Sequence, residues 1–141
     1  MKKVLLIDDD KVIVQELSDR IKGEGFEIIV PDTNCLADNA KALVRDTKFD
    51  IAICDLTLPD SSGALSPLVG MALMKEIRAK SRKTPIVALS GSVDEVALQS
   101  LTKIGVTASV CKDQPDAVRA LIGLIKDCLL YTSPSPRDSF R

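Results

Sequence analysis

The sequence has no histidine and no tryptophan, and only one tyrosine and three phenylalanines among its 141 residues. Without histidine the chain lacks the commonest general base, the commonest transition-metal ligand and any internal phosphohistidine. Aromatics make up 3% of the chain against 45% hydrophobic residues, so the core must be aliphatic. An excess of one charge is missing too. The formal net charge is −1 and the sequence pI about 5.5, which leaves no electrostatic footprint for nucleic acid. No apolar run approaches the length of a membrane span. Met1-Lys2-Lys3 is basic, but the apolar residues after it number only four before Asp8, Asp9 and Asp10, too few for a signal peptide. The expected setting is therefore cytoplasmic, with neither membrane nor nucleic acid as partner. Cys35, Cys54, Cys111 and Cys128 form no CxxC pair, so buried reduced thiols are expected rather than disulfides or zinc.

What is present is enough chain for one domain with a real core. The stretch that organises it is residues 49–63, FDIAICDLTLPDSSG. The short apolar run Ile51-Ala52-Ile53-Cys54 suits a strand buried on both faces, and it delivers Asp55 to its carboxyl end. Ligands of open parallel sheets sit outside the carboxyl ends of the strands, so Asp55 stands where chemistry is expected.

The rest of the chain alternates strand and helix patterns. Strands are predicted over residues 3–7, 26–30, 51–55, 85–89 and 107–111. Helices are predicted over 11–22, from an Asn34 cap to 47, over 70–79, 94–104 and 115–127, the last opening with Pro115 in its first turn. Asp10 is expected to cap the first helix. Five strands alternating with five helices predict an α/β fold, a doubly wound parallel sheet in the order 2-1-3-4-5. Residues 1–127 are expected to form the domain. Residues 128–141 contain CLLYTSPSPRD, which resembles a translated transposon-type sequencing adapter; a Pro/Ser linker to another domain has a similar composition.

Four strand ends converge on one edge of this sheet. The first brings Asp8 and Asp9, the third Asp55, the fourth Ser90 and the fifth Lys112. Three neighbouring carboxylates repel one another unless a cation relieves them, and Mg²⁺ with its oxygen ligands answers that need. A carboxylate beside Mg²⁺, with a lysine and a hydroxyl opposite, suits aspartyl-phosphate chemistry.

The motifs LLIDDD (residues 5–10), CDLTLPDSSG (54–63), PIVALSGS (85–92) and VCKD (110–113) occur in this order, and together the chain resembles the receiver domain of two-component response regulators, CheY-like proteins. The resemblance covers residues 2–127. It implies a flavodoxin-like (βα)5 fold with Asp55 as phosphoacceptor. Asp8, Asp9, Asp55 and the backbone carbonyl of Thr57 would hold Mg²⁺. Ser90 would supply the switch hydroxyl, Lys112 the ammonium on the phosphoryl oxygens, and Gly91 the room for the phosphoryl group. Pro59 and Gly63 fall at the family's loop spacing. The implied partners are a sensor histidine kinase or phosphotransfer protein and a downstream effector or output domain. The implied role is signalling, with self-phosphorylation and slow autodephosphorylation as its only chemistry.

Three departures from that pattern stand out. Asp113 follows Lys112 where the family has proline, often in cis, and a cis bond before another residue costs about 3 kcal/mol. Ser109 occupies the position of the switch aromatic, three residues before Lys112. Residues 64–69 look like an insertion, a flexible loop beside Asp55 that is a partner contact or lid, or else plain tolerated length. Two other functions compete. A degenerate receiver would bind proteins independently of phosphorylation, which Ser109 and Asp113 favour and the acidic pair opposes. A haloacid-dehalogenase-type phosphatase needs a second aspartate two residues after the first, where this chain has Thr57. A nucleotide-binding Rossmann domain lacks its glycine fingerprint.

Overall fold

The computed structural model describes residues 1–91 and 95–130. The elements in chain order are β1 (Lys3–Ile7), α1 (Lys11–Gly23), β2 (Glu27–Ile29), α2 (Leu36–Asp46), β3 (Ile51–Asp55), β4 (Leu58–Pro59) and β5 (Leu65–Ser66). They continue with α3 (Pro67–Lys80), β6 (Ile86–Ser90), α4 (Glu95–Ile104), β7 (Ala108–Cys111) and α5 (Ala117–Leu130). The main sheet is parallel throughout, in the order β2-β1-β3-β6-β7. This is the order expected from the sequence, with β6 and β7 as its fourth and fifth strands.

The period of two along each strand divides the core into two layers. Val4, Leu6, Ile51, Ile53, Val87, Leu89 and Val110 face one way, against Leu17 and Ile21 of α1 and Leu121 and Ile125 of α5. Leu5, Ile7, Ala52, Cys54, Ile86 and Ala88 face the other way, against Ala40 and Val44 of α2, Leu73, Met74 and Ile77 of α3 and Leu101 of α4. Every β1 and β3 position from Val4 to Ile7 and from Ile51 to Cys54 is fully buried. The short aliphatic runs are thus the runs covered on both sides. The aliphatic core follows from the scarcity of aromatics.

Asp10 caps α1 as expected, its side chain accepting from the Val12 and Ile13 amides. Several boundaries differ from the sequence reading. Asn34 does not cap α2. That position belongs to Cys35, at φ 55°, with no side-chain cap bond, while the Asn39 amide donates to the Asp32 and Asn34 carbonyls. The second strand is Glu27–Ile29, shorter at both ends than residues 26–30, because β2 is the sheet edge and pairs only with β1. Helix α3 begins at Pro67 rather than at Gly70, with Ser66 as N-cap accepting from the Leu68 amide. Residues 64–69 are therefore not a loop. Leu65 and Ser66 pair antiparallel with Pro59 and Leu58, residues 67–69 start α3, and Ala64 alone belongs to neither.

Helix α5 begins at Ala117, two residues after Pro115, and runs three residues beyond the expected end at Asp127. Leu129 continues the stripe of Leu121 and Ile125 at spacings of four and is buried in the same core layer. Most of the adapter-like string, from Tyr131 onward, lies outside the described residues. So does Asp94, where the fourth helix was expected to start. All four cysteines are free, but only Cys54 is buried; Cys111 and Cys128 are half-buried and Cys35 is exposed at the start of α2. The expectation of four buried thiols holds for one position alone.

Candidate functional site

Strand periodicity carries past the ends of the strands and assembles the site. Counting by two from Val4 and Leu6 reaches Asp8, and from Ile51 and Ile53 it reaches Asp55. Counting from Val110 reaches Lys112. All three belong to the face covered by α1 and α5, whereas Ser90, in step with Ile86 and Ala88, belongs to the opposite one. The ladder itself runs one bond beyond β3 and β7. The Leu56 amide donates to the Leu89 carbonyl at 2.8 Å and the Lys112 amide to the Ser90 carbonyl at 2.7 Å. Asp55 and Lys112 thus leave the sheet from fixed backbone.

Asp8 and Asp55 are almost completely buried, at 1% and 4% exposure. The Lys112 ammonium lies 3.0 Å from Asp8 Oδ2 and 3.0 Å from Asp55 Oδ2. Asp8 Oδ1 accepts from the Asp10 amide at 2.8 Å, and Asp55 Oδ1 from the Thr57 amide at 3.2 Å. Asp8 Oδ2, though close to the ammonium, accepts no aligned hydrogen bond. Asp8, half-buried Asp9 and Asp55 each offer a carboxylate oxygen within 4.8 Å of the others. A hard divalent cation fits this donor set, which is all carboxylate oxygen, partly unsatisfied and in excess of its one lysine.

The electrostatics record the same crowding. Burial and then the Asp8 charge push the Asp55 carboxyl up to about 7, against the opposing pull of Lys112 and the Thr57 amide. Burial alone would lower the Lys112 ammonium. Its hydrogen bonds to Asp55 and Asp8 and their charges outweigh burial and hold it above the usual lysine range. Cys54, the preceding residue on the opposite face of β3, is fully buried, and its thiol is pushed far up, first by burial and then by Asp55 and Asp8.

Ser90 is buried, and its Oγ finds no partner among the described residues. A side-chain carbon added at Gly91 would meet open space, consistent with room at this edge. No described peptide bond is cis, so the Lys112–Asp113 bond is trans, and Lys112 still reaches both carboxylates. Ser109 lies exposed on the outermost strand. Pro59 sits in the β4–β5 hairpin and Gly63 at its tip, where φ is +89°. Asp60 accepts there from the Ser62 and Ala64 amides and the Ser62 hydroxyl, which hold its carboxyl below the ordinary range.

One functional position was not singled out from the sequence. Gly70, in the first turns of α3, lies against the backbone carbonyls of Asp55 and Leu56, and a Cβ there would collide with both. The available signal was a lone glycine inside a helical pattern, which marks close backbone approach as well as a mere start.

Comparison with known proteins places this geometry in context. A family described as "Response regulator receiver domain" matches residues 4–123. The "Cell cycle transcriptional regulator CtrA" of Caulobacter vibrioides is 33% identical over 90 residues, 64% of this chain and 35% of that protein. The "Cell cycle response regulator CtrA" of Brucella ovis is 35% identical over 89 residues, 63% of this chain and 34% of that protein. The chain thus spans only part of the length of these relatives. Among solved structures, the HemR receiver domain from Leptospira biflexa superposes with a TM-score of 0.77 at 20% identity, covering 96% of this chain and 99% of that one. A CheY-like receiver domain protein from Methanospirillum hungatei gives 0.75 at 21% identity, covering 90% and 92%. At these identities the likeness speaks for the fold.

Two outcomes follow from the site's geometry. The folded metal-free protein retains a proton on Asp55 between the ordinary carboxylate range and about pH 7, where the unfolded chain has lost it. This contribution to stability is complete at low pH and disappears as pH rises through about 7. Asp55→Asn removes it. In chelator, the unfolding free energy of the Asn variant relative to the parent should increase from pH 5 to pH 8, on the order of a few kcal/mol. A flat difference would show that Asp55 titrates normally. Gly70→Ala should destabilise by about 1–3 kcal/mol from the collision with the Asp55 loop, although helix propensity alone favours alanine by about 1 kcal/mol. Denaturant midpoints settle the sign.

Proposed function

The chain belongs to the response regulator receiver domains, and from that premise we propose that Asp55 is its phosphoacceptor, served by Lys112, Ser90 and a Mg²⁺ ion. The observation that carries this reading is the Lys112 ammonium 3.0 Å from both Asp8 and Asp55, beside a third carboxylate from Asp9. The ionised Asp55 carboxylate attacks the phosphorus of a phosphohistidine on a sensor kinase or phosphotransfer protein. The O–P bond forms as the P–N bond breaks, and the electron pair leaves with the imidazole, which takes up a proton. Asp8, Asp9, Asp55 and the Thr57 carbonyl are the residues to hold Mg²⁺, which when bound offsets negative charge on the transferring group. Lys112 then turns from the carboxylate pair toward the phosphoryl oxygens as a second positive charge. Ser90, whose hydroxyl has no partner among the described residues, donates to one of those oxygens.

The groove between α1 and α5 opens beside Lys112 and is lined by Ile13, Leu17 and Val118, an apolar seat suited to the donor protein. The domain's role is non-catalytic signalling. Self-phosphorylation from small donors, slow loss of the phosphoryl group and coupling to an effector or output domain belong to the proposal. No helix among the described residues is long and apolar enough to cross a membrane, and the reading carries a cytoplasmic setting with it.

Incubation with acetyl phosphate should add one phosphoryl group by intact mass, only when Mg²⁺ is present, and none to Asp55→Asn. Equal labelling of the Asn variant would falsify the assignment. A second outcome concerns the response. Ser109 is exposed and has no ring with which to follow Ser90 inward. Amide exchange with beryllofluoride, a phosphoryl mimic, should therefore change near Ser90 and across residues 58–69, with little change over residues 107–126. Comparable protection changes in both regions would refute this limit on the switch.

A further inference from the structure

Away from the carboxylates, the most distinctive feature is a surface groove between α3 and α4, with a cavity volume of about 470 Å³. Lys75, Arg78, Arg82 and Lys103 line it together with Met71 and Ile104, and no carboxylate does. A chain of net charge −1 thus concentrates four cations in one place. None of the four takes part in an ion pair among the described residues. Arg78 donates from its terminal nitrogens to the carbonyls of Ser81, Arg82 and Gly105, which fixes it, and its buried Nε has no partner. Complementing the helix dipole accounts for cations in a last turn. It does not account for Lys75, in the middle of α3, or for Arg82, beyond its end.

The groove is graded along its length. Leu68, Met71, Lys75, Arg78 and Arg82 recur at spacings of three and four, one stripe along α3 and beyond its end. Val96, Ser100 and Lys103 make the matching stripe on α4. Leu68 is 70% exposed and Val96 73%, two large aliphatic side chains left open on the adjoining stripes. Both helices start at the sheet edge that carries Asp55 and Ser90. Leu68 and Val96 are not among the residues that line the groove; they continue its two stripes toward the functional edge, whereas Arg78, Arg82 and Lys103 lie far from that edge.

We propose that this groove docks an amphipathic helix from a protein partner, with apolar residues at one end of the docked face and carboxylates at the other. The apolar end seats on Leu68 and Val96, and the acidic end lies among the cations. Charge complementarity and the exposed aliphatics together select this occupant. A nucleic acid would match the charge but leave Leu68, Met71 and Val96 wet.

The test uses the full chain, isotopically labelled, and three probes: a synthetic helical peptide with leucines in its first turns and glutamates in its last turns on one face, the same peptide with glutamine for glutamate, and a short DNA duplex. The acidic peptide should shift amide resonances of residues 68–82 and 96–104. Affinity should fall about tenfold or more for the glutamine peptide and, separately, for a Lys75→Glu/Lys103→Glu variant, as expected for two or three exposed ion pairs. Both lysines are solvent-facing, so the variant should keep the parent's unfolding midpoint. Absence of shifts, shifts confined to other helices, equal affinity for the glutamine peptide, or tighter binding of the duplex would each overturn the proposal.

Discussion

Two carboxylates on neighbouring strands are buried at one sheet edge, and a single ammonium from two strands away on the same face stands between them. The rest of the molecule is arranged to make that possible. Asp8 and Asp55 arrive from β1 and β3, which pair directly, and Lys112 comes from beyond β7, with β6 in between. The lysine's long stem spans that gap because the backbone at Ser90 and Lys112 is locked by the ladder. Such a pair is costly to bury, and one positive charge does not balance three carboxylates. The Asp55 carboxyl is raised first by its burial and then by the Asp8 charge, which Lys112 offsets only in part. A site in this condition responds strongly to an arriving cation or to a change in charge at Asp55.

The sheet was legible because its strands are short aliphatic runs that end in charge, a pattern that admits few topologies. Asp8, Asp55 and Lys112 were legible for the same reason, since each ends such a run. Thr57 enters as the amide that steadies Asp55, visible here through its hydrogen bond. Local rules failed where tertiary contacts decide. Asn34 has the better side chain for a cap, yet the chain turns at Cys35 and uses Asn39 to tie the preceding carbonyls. Gly70 looked like a helix boundary, but its missing side chain matters because α3 presses on the backbone that carries Asp55. Neither fact is local in sequence. The absence of an aromatic at position 109 was legible and corresponds to an exposed, unremarked side chain on the outer strand.

The two helical layers serve different ends. The α1–α5 layer packs the face on which Asp8, Asp55 and Lys112 lie, so a molecule approaching along it meets the carboxylates directly. The α2–α4 layer packs the face of Ser90 and carries the basic groove. Ser90 at the end of β6 and Gly70 against the backbone of Asp55 are two places where this second layer touches the functional edge.

The β4–β5 hairpin has a bearing on how this loop tolerates change. Leu58 pairs with Ser66 and Pro59 with Leu65, so the two ends of the excursion lie side by side where the excursion leaves and rejoins the domain. Its length is therefore uncoupled from the spacing that α3 keeps from Asp55 through Gly70. Closing a somewhat longer or shorter tip between the same two anchors changes the entropy only slowly with length. A change in the length of the tip is thus absorbed between the two paired ends, and the carboxylate it follows stays where the sheet holds it.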